Sequence, residues 1–260
     1  NPPVRPEEFL AGMPHLELHL GGGQFILIQP SSTLLVYSLG LLMTLLGIYF
    51  LLTREDQRSR LYWGWGLVLL GVSAILAGTS YQAFGYELKC RGRELCLFTS
   101  DYELLYLLLM AYSINFLVAA TAYTSMDQPA RSRLIRFAWV DGTLYSIYLL
   151  IGAVRPLRFL ASYEGFMSFV GINFLLMFAL NVRHFHARRD RLNLNLMIIW
   201  LAFLVVNLAY FAALFTGLGL WLFGNYGIWF NENDVLHVLL FAWGVLLWAL
   251  LRTKLRDQAA

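Results

Sequence analysis

Seven apolar stretches, each long enough to cross a bilayer as a helix, constrain this chain more than any other feature. They run over residues 32–53, 61–86, 101–126, 134–154, 157–182, 192–217 and 234–251. A helix needs about 20 apolar residues to cross a hydrocarbon core of ~30 Å. Lipid offers no partner to an open backbone group, so only helices and closed barrels can span it. The ten-residue alternation of a barrel does not recur. The expected fold is therefore an all-α integral membrane protein, a seven-helix transmembrane bundle. Composition agrees: 59% of the 260 residues are hydrophobic and 13% are charged, where a soluble domain carries about 25% charge. A disordered chain and an ordinary soluble enzyme are excluded. The net charge of +3 implies no nucleic-acid partner.

Basic residues set the expected orientation. Arg54, Arg58, Arg60, Arg131, Arg133, Arg136, Arg183, Arg188, Arg189, Arg191, Arg252, Lys254 and Arg256 fall at one set of span ends. Only Arg5, Lys89, Arg91, Arg93, Arg155 and Arg158 fall at the other. The positive-inside rule places the N-terminus outside and the C-terminus in the cytoplasm, across a bacterial inner membrane or an equivalent one. Residues 1–30 form an extracytoplasmic segment, 31–252 the seven-helix domain and 253–260 a cytoplasmic tail. Cys90 and Cys96 both fall in the outer loop between spans 2 and 3. In an oxidising compartment they are expected to pair as a disulfide, with free thiols or part of a metal site as the alternatives.

Leu16-Glu17-Leu18-His19-Leu20 alternates, Gly21-Gly22-Gly23 breaks the pattern, and Phe25-Ile26-Leu27-Ile28 follows. This predicts a short β-hairpin. An isolated hairpin is marginal in water, so it is expected to lie over the outer helix ends. The segment 217–233 carries Trp221, Phe223, Tyr226, Trp229 and Phe230 without a basic residue. It reads as an interfacial aromatic belt, with a ligand entrance as the sharper alternative. Gly71, Gly78 and Gly85 recur at heptad spacing in span 2, a stripe of small residues that lets another helix approach closely.

Several chemistries are excluded by what the spans lack. Lys89 and Lys254 both sit at membrane edges, so no lysine is placed for a retinal Schiff base. His237 is the only histidine inside a predicted span, which argues against bis-histidine haem. Nucleotide-binding, serine-hydrolase and zincin motifs are missing.

Polar groups in lipid are expensive and tend to mark function. Ser80 and Gln82 lie near the outer end of span 2. Asp101 and Glu103 open span 3, Glu164 sits near the outer end of span 5, and Asn233, Asp234 and His237 open span 7. Asp234 and His237, at i and i+3, share a helix face. The plain reading makes Asp101 and Asp234 helix caps and His237 a hydrogen-bonded interior histidine. The sharper reading gathers Asp101, Asp234 and His237 around a divalent metal such as zinc. Ser80, Asp101 and Glu164 are then catalytic candidates, and Gln82, Glu103, Asn233 and Trp229 line a ligand pocket. Asp141 needs a partner within the membrane, from Arg136, Asn173 or Asn207, or it stays protonated. Asn115, Asn173 and Asn207 are read as interhelical hydrogen-bonding glue. His184 and His186 fall in a basic turn suited to lipid head groups, with metal binding by the pair as the alternative.

Seven spans with polar residues at the outer ends of spans 2, 3 and 7 resemble the alkaline ceramidase group of the CREST membrane hydrolases. That family carries a serine and a histidine on its second helix, an aspartate on its third and an HxxxH pair on its seventh, the histidines holding zinc. Here Ser80 matches the serine and Asp101 the aspartate. Phe84 stands where the second-helix histidine would be, and the HxxxH position reads Asn233-Asp234-Val235-Leu236-His237. The resemblance implies a metal-dependent lipid amide hydrolase in which Asp234, Glu103 or Asp101 replaces the lost ligands. The first expectation is instead a non-catalytic membrane protein. It binds a lipid or hydrophobic ligand, or serves as an accessory subunit among other membrane proteins.

Overall fold

The computed structural model describes residues 4–20, 23–155 and 157–258. Seven of its helices are long and apolar enough to cross a membrane. In chain order the elements are α1 (Pro6–Ala11), β1 (His15–Leu20), β2 (Gly23–Ile28), α2 (Pro30–Leu52), α3 (Arg58–Gly78), α4 (Gly85–Lys89), α5 (Asp101–Ser125), α6 (Ala130–Val154), α7 (Tyr163–Arg188), α8 (Arg191–Thr216), α9 (Leu218–Tyr226) and α10 (Glu232–Leu251). Beyond Gly78, α3 continues as a π-helical turn over Thr79–Ala83. The seven spans are α2, α3, α5, α6, α7, α8 and α10.

Neighbouring helices close a ring in the order α2, α3, α5, α7, α8, α10 and back to α2, and α6 packs outside it on α5. The outer face of α6 exposes Trp139, Val140, Leu144, Ile147 and Leu150. A helix this apolar on its open side suits a lipid environment.

The α2–α3 pair is the closest packed, because glycines meet on both helices. A Cβ on Gly71 would lie 2.5 Å from the Gly40 carbonyl oxygen, and one on Gly47 would lie 2.6 Å from that of Gly64. Gly71 and Gly78 of the expected stripe face α2. Gly85 does not: the π turn intervenes, and a Cβ there would meet Ser80 O and the Ile28 side chain. Gly64 takes its place in the stripe.

The hairpin forms with Leu16 opposite Leu27 and Leu18 opposite Phe25; the Gly21–Gly22 part of its expected turn lies outside the described residues. It rests on α4, where the Ile26 N–H donates to Glu87 Oε1 at 2.8 Å and Arg91 donates to the Gln24 carbonyl. Cys90 and Cys96 are joined as a disulfide. This loop and the hairpin cover one end of the bundle, and the thirteen clustered basic residues gather at the other.

Two segments depart from the sequence reading. Span 5 begins at Tyr163 rather than residue 157, because Ser162 Oγ accepts the Gly165 N–H and caps the helix there. The apolar residues before the cap fold across the bundle end instead. The helix then runs on to Arg188, so His184 and His186 sit on a helix and point apart at i and i+2. Within the aromatic segment 217–233, residues Leu218–Tyr226 form the short helix α9.

The C-terminal tail is docked rather than free. Asp257 accepts the N–H groups of Arg58 and Ser59 at 2.8 and 2.7 Å, placing a carboxylate on the N-terminus of α3. Arg60 ties the same corner by donating to the carbonyls of Thr53, Arg252 and Leu255.

Candidate functional site

The helix ring encloses a cavity of about 600 Å³ that opens toward the hairpin end. That volume is within the range of ligand pockets. Its inner part is apolar, walled by Leu39 and Met43 of α2, Leu70 and Ala74 of α3, Phe174 of α7 and Leu240 of α10. Its outer part carries Gln82, Glu103, Arg158, Glu164, Glu232, Asn233 and His237, together with four tyrosines. The wall from Glu103 to Ile114 spans about 16 Å at 1.5 Å per residue, roughly half of a 30 Å hydrocarbon core.

Local structure explains how the polar groups reach this wall. The wide turn closed by the Phe84 N–H to Thr79 O bond, 2.8 Å, ends α3. It carries Ser80 toward α5 and sets Tyr81 and Gln82 on the cavity. π turns of this kind recur at functional sites. At the start of α5, Ser100 Oγ accepts the Glu103 N–H. Glu103, 1% exposed, then lies among donors: Ser80 Oγ at 2.9 Å and Lys89 Nζ at 2.8 Å. Lys89 Nζ also stands 5.0 Å from the centre of the Tyr81 ring, in cation–π range. The backbone of the disulfide loop holds Lys89 in place, since Leu97 N–H donates to its carbonyl at 2.8 Å.

At the start of α10, Asn231 is the N-cap and Asp234 completes a capping box by accepting the Asn231 N–H at 2.9 Å. Asp234 is fully buried, and its second oxygen has no partner among the described residues. His237 Nδ1 and Gln82 Oε1 are likewise buried without partners on the cavity wall.

The candidate residues therefore divide. Gln82, Glu103, Glu164, Asn233 and His237 share the cavity. Ser80 stands behind Glu103, while Asp234 is buried in the α10 cap. Asp101 is exposed at the first turn of α5. Asp101, Asp234 and His237 thus do not meet, and no three His, Cys, Asp or Glu among the described residues form a metal-binding group. The donors present do not fit a zinc site of the kind the resemblance implies. Trp229 is not on the cavity; its ring packs edge-on against Phe223 at 5.2 Å.

The intramembrane polar residues make separate contacts rather than one network. Asn173 donates to Asp141 at 2.9 Å and ties α7 to α6. Asn207 accepts from the Tyr163 hydroxyl at 3.2 Å. Asn115 is buried facing Gly142, with both amide atoms unpartnered among the described residues.

Sequence reasoning missed Tyr81, Tyr106, Tyr163, Tyr210, Arg158 and Glu232 as cavity residues. Their signal, tyrosines and charges near helix ends, is the same one an interfacial belt gives. No protein-family model, curated protein or solved structure matches this chain.

Proposed function

We propose that the chain is a seven-span integral membrane protein that binds a single-chain amphiphile within its helix ring. The observation that carries this reading is the cavity itself: about 600 Å³, apolar at depth and polar at its opening. An alkyl chain in the inner part is solvated by Leu39, Met43, Leu70 and Leu240, and a head group in the outer part meets Gln82, Glu103, Asn233 and His237. Apolar walls and a few convergent polar groups are the ordinary makeup of a ligand site. The uneven distribution of arginine supports an opening on the extracytoplasmic side of a bacterial inner membrane or its equivalent. A C-terminal green fluorescent protein fusion should then fluoresce and a C-terminal alkaline phosphatase fusion should be inactive; the reverse pattern overturns the orientation.

Metal-dependent amide hydrolysis, implied by the resemblance, has no gathered ligand set among the described residues to support it.

Ala74→Trp tests the binding reading by filling the cavity from the α3 wall. Native mass spectrometry of the purified protein should show about one amphiphile per chain in the wild type. In Ala74→Trp occupancy should fall at least about tenfold, the cost of one displaced apolar contact set of 1.4 kcal/mol or more. Equal occupancy in a folded Ala74→Trp protein places the amphiphile elsewhere and removes the support for the site.

A further inference from the structure

Just behind the cavity wall, the lining residues Tyr81 and Glu103 already hold one ammonium group, and the way they do so bears on what the ligand head group carries. On the α3–α5 side, the Lys89 ammonium lies 2.8 Å from Glu103 and 5.0 Å from the Tyr81 ring centre. Tyr81 is packed edge-on against Tyr106 at 5.7 Å. On the opposite side the same kinds of group recur. Tyr163 of α7 is packed edge-on against Tyr210 of α8 at 5.3 Å. Glu164 of α7 and Glu232 of α10 flank α8 on the ring and line the same cavity. No lysine is there. Glu164 and Arg158 are exposed at this opening and Glu232 is half-buried, and none of the three is in an ion pair among the described residues. The Arg158 guanidinium instead stands 5.1 Å from the Phe98 ring centre.

Carboxylates beside tyrosine faces are the chemistry that recognises an ammonium group. The wall also contains two buried polar side chains that await a partner: Gln82, 3% exposed, through Oε1, and His237, 9% exposed, through Nδ1. They mark this outer chamber as a place for a polar head rather than for more alkyl chain, since an unpartnered buried polar atom costs free energy.

We propose that the amphiphile is cationic at its head, an alkylammonium, with its nitrogen held by Glu164, Glu232 and the Tyr163–Tyr210 pair. This rests on the binding reading above and deepens it. The free amine, a quaternary ammonium and a phosphocholine share this chemistry, and in the last of these the phosphate meets Arg158.

The test compares dodecyl amphiphiles of equal chain length and different heads, titrated into the purified protein in nanodiscs. Binding is taken as the difference from Ala74→Trp, which removes partition into the bilayer. Dodecyltrimethylammonium should bind at least about tenfold more tightly than 1-O-dodecylglycerol or dodecyl phosphate. Glu164→Gln/Glu232→Gln should abolish that preference and leave the affinity for dodecylglycerol within about twofold. If dodecylphosphocholine keeps the preference and loses it in Arg158→Ala, the head is zwitterionic; if Arg158→Ala has no effect, the ammonium alone is read. Equal binding of the three heads, tighter binding of the phosphate, or a preference that survives the double glutamine variant overturns the ammonium assignment while the cavity still binds chains. Failure of all the dodecyl probes to bind overturns the binding reading itself.

Discussion

Gly71→Leu is expected to abolish recovery of folded, monodisperse protein. A single Cβ at this position would already lie 2.5 Å from Gly40 O and 2.6 Å from Thr44 N, both backbone atoms of α2. Neither can yield by rotating a side chain, so α2 and α3 must separate. Separation loses the tight interhelical contact that packs membrane helices in the absence of a hydrophobic drive between them. Overpacking of this sort costs about 1–3 kcal/mol when neighbours can shift, and here the cost exceeds that range because they cannot. Gly171 of α7 is the matching control, since a Cβ there would meet nothing within 4 Å. Gly171→Leu should elute and melt like the wild type in size-exclusion chromatography and thermal unfolding. Comparable behaviour of the two variants would contradict the close α2–α3 crossing.

Lys89→Met is expected to have the second largest effect. It leaves Glu103, 1% exposed, with Ser80 as its remaining side-chain donor. Removing one partner of a buried ion pair typically costs about 3–5 kcal/mol, because the other charge stays buried and uncompensated. Lys89→Met/Glu103→Gln removes both charges and should recover most of that loss. The double variant should therefore melt well above the single one. If the double variant is no more stable than Lys89→Met, the pair is not the compensated unit that the 2.8 Å contact indicates.

How much of this was legible in the sequence follows from which forces act locally. The spans were readable because lipid demands long apolar helices wherever the chain crosses. The hairpin followed from strict alternation, and the Cys90–Cys96 pairing from two cysteines in one short loop. Asp141 inside a span calls for a partner or a proton, and Asn173, one of three residues considered for it, donates to it. What could not be read depends on which helices are neighbours. The ring order sets α8 between α7 and α10 and leaves α6 outside, and no periodicity within a span encodes that order. The cavity is a consequence of the order, so its tyrosines were indistinguishable from an interfacial belt. The π turn that aims Tyr81 and Gln82 has no sequence mark beside Gly78. Residues 157–162 were apolar enough to pass for helix, and only the Ser162 cap separates them from α7. The docking of Asp257 on α3 joins residues 198 positions apart. The set Asp101, Asp234 and His237 does not gather among the described residues, for a related reason. Spacing placed Asp101, Asp234 and His237 at one bundle end, but α5 turns Asp101 outward and the α10 cap holds Asp234.

An amphiphile held inside the helix ring would be directly visible. The most direct measurement is an experimental density map of the protein in lipid nanodiscs. One elongated feature should run from the Leu70–Leu240 floor to the Glu164–Glu232 opening and be absent in Ala74→Trp. A cavity filled only by ordered water, or closed by collapse of α10 onto α3, would contradict it.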